Sequence, residues 1–537
     1  MSTLFKLLLF AVCLLWNQAS LAVHLPSLGS GNRHDEVCNS YDYNDAATGR
    51  LVLKYLICKN MNIQPAKHSI LVDIPPNDIQ YIAFENSSLP TITNMMFSKF
   101  SNLSVLNLKK SKISTVSSQA FHGMTQLENL YLQDNKIQEF PKDAFDFLTN
   151  LKVLDLSNNV LQILQRELLS NLTNLKVLKL EGNSLYFLER NCFLTLKSLE
   201  VLDITNNKIL LDPFHTVFHI HSRNLTRVLA SGNLFFKFPI AGKTQLTFMD
   251  VSNNRWTQIN LHQFYHLKFA NVSHNKIATI CTLGITTIED LCLEEFDLSY
   301  NLLRRIDKHV FQNLTHLQRL HLNNNFIKEL VPGCFANLKN MTFLSLSFNE
   351  LEYLEFDYFT GLEKLITLNL NHNNLYKQPE SEQFLFSSLR NLRYLYIDSN
   401  LYNAIDAERF VKGLPNLKMI TLKNNRWNCK QIFEAVEIFR NSSIAIAEKR
   451  AEESYILSNA CPEYFSDCVY NVRLHLLFLK VSILLLLMIM TSLVILMVRR
   501  YYYVLRLVKK QKSKAIRKQK AVIIRMLKPT SAIKIVR

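Results

Sequence analysis

The sequence predicts an α/β solenoid: a curved parallel β-sheet of about fifteen stacked repeats, closed at each end by a cap. Three observations predict it. A pattern of the form LxxLxLxxNxL recurs through residues 79–427, as in Leu151-Lys152-Val153-Leu154-Asp155-Leu156-Ser157-Asn158-Asn159-Val160-Leu161. Its copies begin at Ile79, Leu103, Leu127, Leu151, Leu175, Leu199, Leu225, Leu246, Leu267, Leu293, Leu317, Met341, Leu365, Leu392 and Leu417, most of them 24 residues apart. An aromatic column follows eighteen residues after many of these starts, at Phe97, Phe121, Phe145, Phe193, Phe311, Phe335, Phe359 and Phe410. A fixed period in the twenties marks an array in which each repeat gives one unit to a shared core.

Each element follows from local chemistry. The Leu-x-Leu triplet alternates with period two, so it is a short strand with both leucines on one side. One such strand buries too little to stand alone, whereas in a stack each fully buried Leu contributes about 1.5–3 kcal/mol. Thirteen copies carry Asn at the ninth position, and Ser87 and Ser111 replace it in the first two. A buried amide there can satisfy backbone groups where the chain turns out of the strand. The phenylalanines are expected to stack along the convex side. Between Leu199 and Leu293 the spacing breaks to 26, 21, 21 and 26 residues, which predicts a change of curvature. Cys281 and Cys292 lie in this zone and are expected to form a disulfide, two buried thiols being the alternative. Cys192 and Cys334 replace the small residues Ala120 and Ala144 of other repeats and read as buried thiols.

The ends are distinct. Met1–Ala22 reads as a secretory signal peptide, with Lys6, an apolar run at Leu7–Trp16 and a small-residue site at Ser20-Leu21-Ala22. Residues 23–78 form the expected N-terminal cap. There Cys38 and Cys58 flank a polar turn, and a disulfide across it would stabilise the fold by roughly 3 kcal/mol. Residues 428–475 are the expected C-terminal cap and juxtamembrane segment, with an amphipathic helix near Gln431–Phe439. Val481–Val498 has no charged residue, and the span 476–498 is long enough to cross a ~30 Å hydrocarbon core. Arg499-Arg500 and Tyr501-Tyr502-Tyr503 follow. Positive-inside bias and the signal peptide agree on repeats outside and residues 499–537 in the cytoplasm.

The net charge of +17 looks like a nucleic-acid signal until it is located. Residues 499–537 hold fourteen Lys and Arg and no Asp or Glu, which leaves 47 basic against 44 acidic residues elsewhere. The basicity therefore suits anionic lipids of the inner leaflet, at about 1 kcal/mol per cation near the surface. Nucleic acid is not an expected partner.

The repeats resemble those of animal extracellular leucine-rich repeat type I transmembrane proteins, the Toll-like ectodomains and adhesion molecules, over about two thirds of the chain. The tail is too short for a Toll-type signalling domain. Asn425-Arg426-Trp427-Asn428-Cys429 and Cys461-Pro462 resemble that family's C-terminal cap, which implies a Cys429–Cys461 pair. The family cap has a second cysteine where Gln431 stands here. Cys468 is then left over and points to a disulfide-linked homodimer; the other reading pairs Cys429 with Cys468.

For function, eight Asn-x-Ser/Thr sequons precede the apolar span, at Asn86, Asn102, Asn171, Asn224, Asn271, Asn313, Asn340 and Asn441. Asn271 is a fifth-position strand residue, so a glycan there would stand on the concave face. The third strand position gives an apolar stripe, the candidate binding face: Val105, Val153, Val177, Val201, Phe248, Phe269, Phe343, Tyr394 and Met419. The alternative is that neighbouring Lys and Glu stems cover it. An arc of fourteen strand gaps, about 67 Å, suits a protein or glycoprotein ligand better than a metabolite. His215, His219 and His221 lack companions at ligand spacing and do not read as a metal site. No nucleophile elbow, phosphate loop or catalytic carboxylate pair appears, so neither catalysis nor a cofactor is expected. The expected function is recognition at the cell surface, in adhesion or as an immune or signalling co-receptor.

Overall fold

A computed structural model describes residues 37–44, 51–63, 79–210, 222–236, 245–260, 265–280, 291–376, 384–447 and 462–526. The signal peptide, the three histidines at 215, 219 and 221, Cys281 and Cys461 lie outside the described residues. The chain divides into two compact units, the first ending at Asn374 with residues 379–392 added, the second holding 375–378 and 393–537.

The first unit is a leucine-rich repeat solenoid. Its cap is a hairpin of β1 (Val37–Asn44) and β2 (Leu51–Lys59), paired antiparallel, with Cys38 opposite Cys58 and joined to it by a disulfide. β2 pairs parallel with the strand of repeat 1, Ile79–Glu85, so the cap continues the sheet instead of leaving its edge open. Thirteen repeat strands follow in this unit, ending at Thr367–Asn369. Most are three residues long and join like positions: Val153 lies beside Val177, Leu154 beside Leu178 and Asp155 beside Lys179. Through the irregular zone the register holds, Val201 beside Arg227 and Phe269 beside Glu295, so the odd spacings are absorbed outside the strands. The leucines at positions 4 and 6 of each repeat are fully buried, as Leu154 and Leu156 show.

The ninth-position Asn joins neighbouring repeats. Asn159 Oδ1 accepts from Ile137 N–H at 3.0 Å, and its Nδ2 donates to Leu132 O at 2.9 Å and Leu156 O at 3.1 Å. One buried amide thus satisfies three backbone groups across two repeats, and the same set recurs at Asn183, Asn207 and onward to Asn373. Ser87 does part of this in repeat 1, accepting from Met61 N–H. The Phe column is buried, with Phe121–Phe145 at 5.9 Å and Phe311–Phe335 stacked at 6.1 Å. The convex side departs from the α/β expectation. Among the described residues of this unit it is turns, two-residue strands and a single 3-10 turn at Glu167–Leu169. A 24-residue repeat leaves about thirteen residues outside the LxxLxLxxNxL core, and a buried Phe anchor in their midst leaves little room for helix.

The cysteines divide. Cys192 and Cys334 are buried free thiols, and burial pushes the Cys334 thiol up to about 12. Cys292 is also a free thiol, so the expected Cys281–Cys292 bridge is not made. The backbone N–H of Cys292 bonds to Tyr265 O, holding it against the preceding repeat just ahead of its own strand.

The second unit holds the strands Tyr394–Tyr396 and Met419–Thr421, paired parallel. Helix α1 (Ala407–Gly413) is capped by Asp406, which accepts from Arg409 N–H. Helix α2 (Cys429–Asn441), capped by Asn428, buries Ile432, Ala435, Val436 and Phe439 on one face, as the amphipathic pattern predicts. Trp427 stacks on Tyr402 at 6.1 Å and donates from Nε1 to Leu422 O, fixing the end of the last repeat. Cys429 is disulfide-bonded to a cysteine whose side chain lies outside the described residues. Helix α3 (Pro462–Met526) contains the stretch Ser482–Lys514, long and apolar enough to cross a membrane, and the expected span 476–498 falls within α3.

Candidate functional site

With positions 4 and 6 buried, positions 3 and 5 emerge on the open face of the sheet. Val105, Val153, Val177, Val201, Phe248, Phe269 and Phe343 all stand there in the first unit, each half-buried; Tyr394 and Met419 hold the same position in the second. The stripe is not continuous. Asn129, Arg227, Glu295 and Arg319 interrupt it, and from repeat 7 to repeat 12 the interruptions are charged side chains paired with rings or with one another. The Arg227 guanidinium lies over Phe248 at 4.3 Å, and Phe248 stacks on Phe269 at 4.5 Å and 7°. Glu295 meets Arg319 at 3.5 Å and His321 at 3.4 Å. The Arg319 guanidinium covers Phe343 at 4.5 Å, and the His321 ring is 4.8 Å from the same Phe. Repeats 7 to 12 therefore present alternating cations, rings and one carboxylate. Each such cation–ring contact contributes about 0.5–2 kcal/mol and holds its ring in place. Burial raises the Glu295 carboxyl, but His321 and Arg319 outweigh that and hold it below its usual range.

The fifth-position acids are structural. Asp155 Oδ1 accepts from Ser157 N–H at 3.1 Å and Ser157 Oγ at 2.7 Å, and Asp250 and Asp297 do the same with Ser252 and Ser299. These are Asx turns that close the strand exit. Asn271 makes the same turn through Oδ1, with Ser273 N–H at 3.1 Å and Oγ at 2.7 Å. In repeats 4 to 6 burial, followed by the charges of Asp203 and Asp155, raises the Glu181 carboxyl, and burial raises Asp203. At the cap end Tyr41 stacks on Tyr55 at 5.5 Å, and Tyr55 meets Tyr81 edge-on at 6.4 Å.

The sequons Asn86, Asn102, Asn171, Asn224 and Asn441 are exposed, while Asn271, Asn313 and Asn340 are half-buried. The side chain of Cys468 lies outside the described set.

A second feature escaped the sequence reading. All fifteen eighth-position residues have positive φ, because the chain leaves the strand there through a left-handed residue. Asn, Gly or Asp fills most of these places, but repeats 9, 10, 12 and 13 have His274, Tyr300, Phe348 and His372, with φ of 52–54°. A left-handed backbone costs a bulky residue about 1–2 kcal/mol. The rings pair across repeats: His274 stacks on Tyr300 at 4.0 Å and 11°, and Phe348 on His372 at 4.0 Å and 10°. Tyr300 is 46% exposed and Phe348 47%. Leu302 and Phe326, two positions further on, are also exposed, where repeats 2, 3 and 6 place Lys112, Lys136 and Lys208 and repeat 4 places Val160, likewise exposed. The available signal was the break in the Asn column at position 8.

Known proteins agree with this architecture. The profile described as leucine rich repeat matches residues 79–137, 125–185 and 292–351, and the BspA type leucine rich repeat region (6 copies) matches 328–468. No curated protein sequence matches the chain. Among solved structures, the APL1 leucine-rich repeat domain is 22% identical at a TM-score of 0.54, covering 73% of this chain and 93% of its own. The LRIM1/APL1C complex matches at 19% identity and TM-score 0.53, covering 88% of each chain. The Toll–Spatzle complex of Drosophila matches at 19% and 0.55, covering 68% of this chain and 53% of that one. At these identities the likeness concerns the fold.

Proposed function

We propose that this leucine-rich repeat protein is a single-pass type I receptor of the plasma membrane that recognises an extracellular protein or glycoprotein through its strand face, in cell adhesion or cell–cell recognition. The observation that carries the reading is the ordered run from Arg227 to Phe343. Apolar centres among preformed charges resemble the composition of protein-binding surfaces, where aromatic residues and Arg are enriched. The rings are already fixed by their cation partners, so little side-chain freedom is left to lose on binding.

A second reading is supported by the likeness to Toll as it occurs with Spatzle, and to APL1 as it occurs with LRIM1. In it the chain is an innate-immune or signalling co-receptor that relies on another chain's cytoplasmic domain. Under either reading residues 1–22 direct secretion, 476–498 anchor the chain, and the cations of 499–537 lie on anionic lipids.

The test is to secrete residues 23–475 and capture partners on cells, while full-length protein is expressed on cells that do not otherwise adhere. Aggregation of those cells favours adhesion. A partner that carries a signalling domain, without aggregation, favours the co-receptor. Retention of the full-length chain inside the cell would contradict both.

A further inference from the structure

We propose that the loop edge of repeats 9 to 13 is a self-association face, on which two copies of this chain pair antiparallel about a two-fold axis at Phe326. The proposal concerns a different surface from the strand face and does not depend on which ligand that face takes.

Three observations carry it. The first is that the edge breaks a local rule, with only the stacks on His274 and His372 as return to the monomer. Position 8 must be left-handed in every repeat, yet Tyr300 and Phe348 occupy it with their rings about half in solvent. Neither burial nor backbone preference accounts for these residues, and local strain kept at an exposed place points to function. Leu302 and Phe326 extend the same apolar edge, which at strand spacing is about 19 Å long over four gaps.

The second is that the edge reads the same in both directions. From repeat 9 to repeat 13 the eighth position runs His274, Tyr300, Asn324, Phe348 and His372, with the two stacked pairs placed symmetrically about repeat 11, where Phe326 stands two positions beyond Asn324. An isologous two-fold interface requires such a pattern, because each position must meet its mirror position. Antiparallel pairing sets Tyr300 against the Phe348 of a second copy, His274 against its His372, and Phe326 against Phe326.

The third is charge. Arg304 and Glu352 occupy the twelfth position of repeats 10 and 12, at equal distances from the centre, and both are exposed. Neither has an ion-pair partner among the described residues, although Arg305 and Lys328 beside them are paired, with Asp307 and Glu329 and with Glu350 respectively. The same two-fold brings Arg304 of one copy to Glu352 of the other, twice, and sets Lys328 of repeat 11 opposite its own copy, each Lys328 carrying its Glu350 partner. A parallel pairing would set Arg304 against Arg304. The second copy is therefore the occupant that both the aromatic order and the charges fit.

The experiment uses full-length protein in a Cys468→Ser background, so that no bond through that residue contributes. Two differently labelled copies are reconstituted in detergent, and their association is titrated by energy transfer. The Tyr300→Ser/Phe348→Ser variant is expected to weaken association at least about tenfold, as loss of central aromatic anchors does. Arg304→Glu and Glu352→Arg should each weaken it by about three- to tenfold, and the two together should restore it. A Phe326→Cys variant should form a disulfide-linked dimer, whereas Lys136→Cys, the same position in repeat 3, should not. Absence of wild-type association, no effect of the aromatic pair, or a charge-swapped double variant as weak as either single one would overturn the proposal. The charged positions are exposed, so their exchange decides the matter even if the aromatic variant folds poorly.

Discussion

At the scale of single residues, the buried amide at position 9 does the most to hold one repeat to the next. Asn183 Oδ1 accepts from Leu161 N–H, and its Nδ2 donates to Leu156 O and Leu180 O, all within the core. Asn183→Ala should leave the buried Leu161 N–H unpaired, while Leu156 O and Leu180 O keep their bonds from Asn159 and Asn207, and should destabilise the solenoid by about 1–3 kcal/mol. Thermal unfolding of the secreted repeats would measure it, and a loss below about 0.5 kcal/mol would mean that water replaces the amide. Glu295 gives a pH signature. Its folded-state carboxyl sits below the usual range because His321 and Arg319 favour the charged form over the cost of burial. The stability this supplies is present above the unfolded pKa, about 4.3, and is lost as pH falls through the folded value. Glu295→Gln should therefore cost about 1 kcal/mol at neutral pH and flatten the acid limb of the stability curve. An unchanged acid limb would show that the pair is screened.

The position-9 role was legible because a single polar letter in an apolar frame has few physical uses. The fifth-position Asp column was harder, since the same letters serve Asx turns and binding faces alike; only the distances from Asp155 and Asp250 to the serines two residues on decide between them.

At the scale of elements, the strands were readable to within one residue, the expected Leu154-Asp155-Leu156 triplet being a strand at Val153–Asp155, because period two within a 24-residue frame fixes both register and facing. Each expected start carries its strand two residues later, from Val105–Asn107 to Met419–Thr421, apart from the longer first strand that begins at Ile79. The convex side was less readable. Its segments carry one Phe anchor and no second period, so the sequence does not separate a helix from a series of turns. Cys292 shows the same limit: eleven residues of separation permitted a bridge but could not report that Cys292 is held against Tyr265. The N-terminal cap was plain from its two cysteines and turn. Cys38→Ser should lower stability by about 3 kcal/mol and reduce secretion, because the hairpin also covers the first repeat. Secretion and melting equal to the wild type would show that β2 holds its place through hydrogen bonds alone.

At the scale of the molecule, composition located the helix long and apolar enough to cross a membrane and the basic tail, while the proposed binding surface came from side chains that repeat statistics treat as exceptions. Arg227, Glu295 and Arg319 stand in the apolar stripe, and only their ring and charge partners show that they belong to the same surface. The repeat pattern shows Tyr300 and Phe348 only as a break in the Asn column; their positive φ is what marks them.

Asn271 bears on the whole face. Its Oδ1 keeps the turn, and a glycan on Nδ2 would stand between Asp250 and Asp297, beside Phe269. If modified, it confines a broad partner to one side of repeat 9. Mass spectrometry of secreted protein is the check, and an unmodified Asn271 leaves the face undivided. In the tail, phosphorylation of Ser513 adds about −1.5 to −2 charges among Lys509, Lys510, Lys512 and Lys514 and should weaken vesicle binding. Equal binding of the phosphorylated and plain tail peptides to anionic vesicles would remove that role.

The central claim is that the strand face of repeats 7 to 12 recognises an extracellular protein. The most direct measurement compares wild-type residues 23–475 with Phe248→Ala/Phe343→Ala and with a convex-side control, Lys197→Ala, for binding to displayed secreted and cell-surface proteins. The account predicts at least one partner whose affinity falls about tenfold or more in the face variant and is unchanged in the control. A partner bound equally well by all three proteins would contradict it.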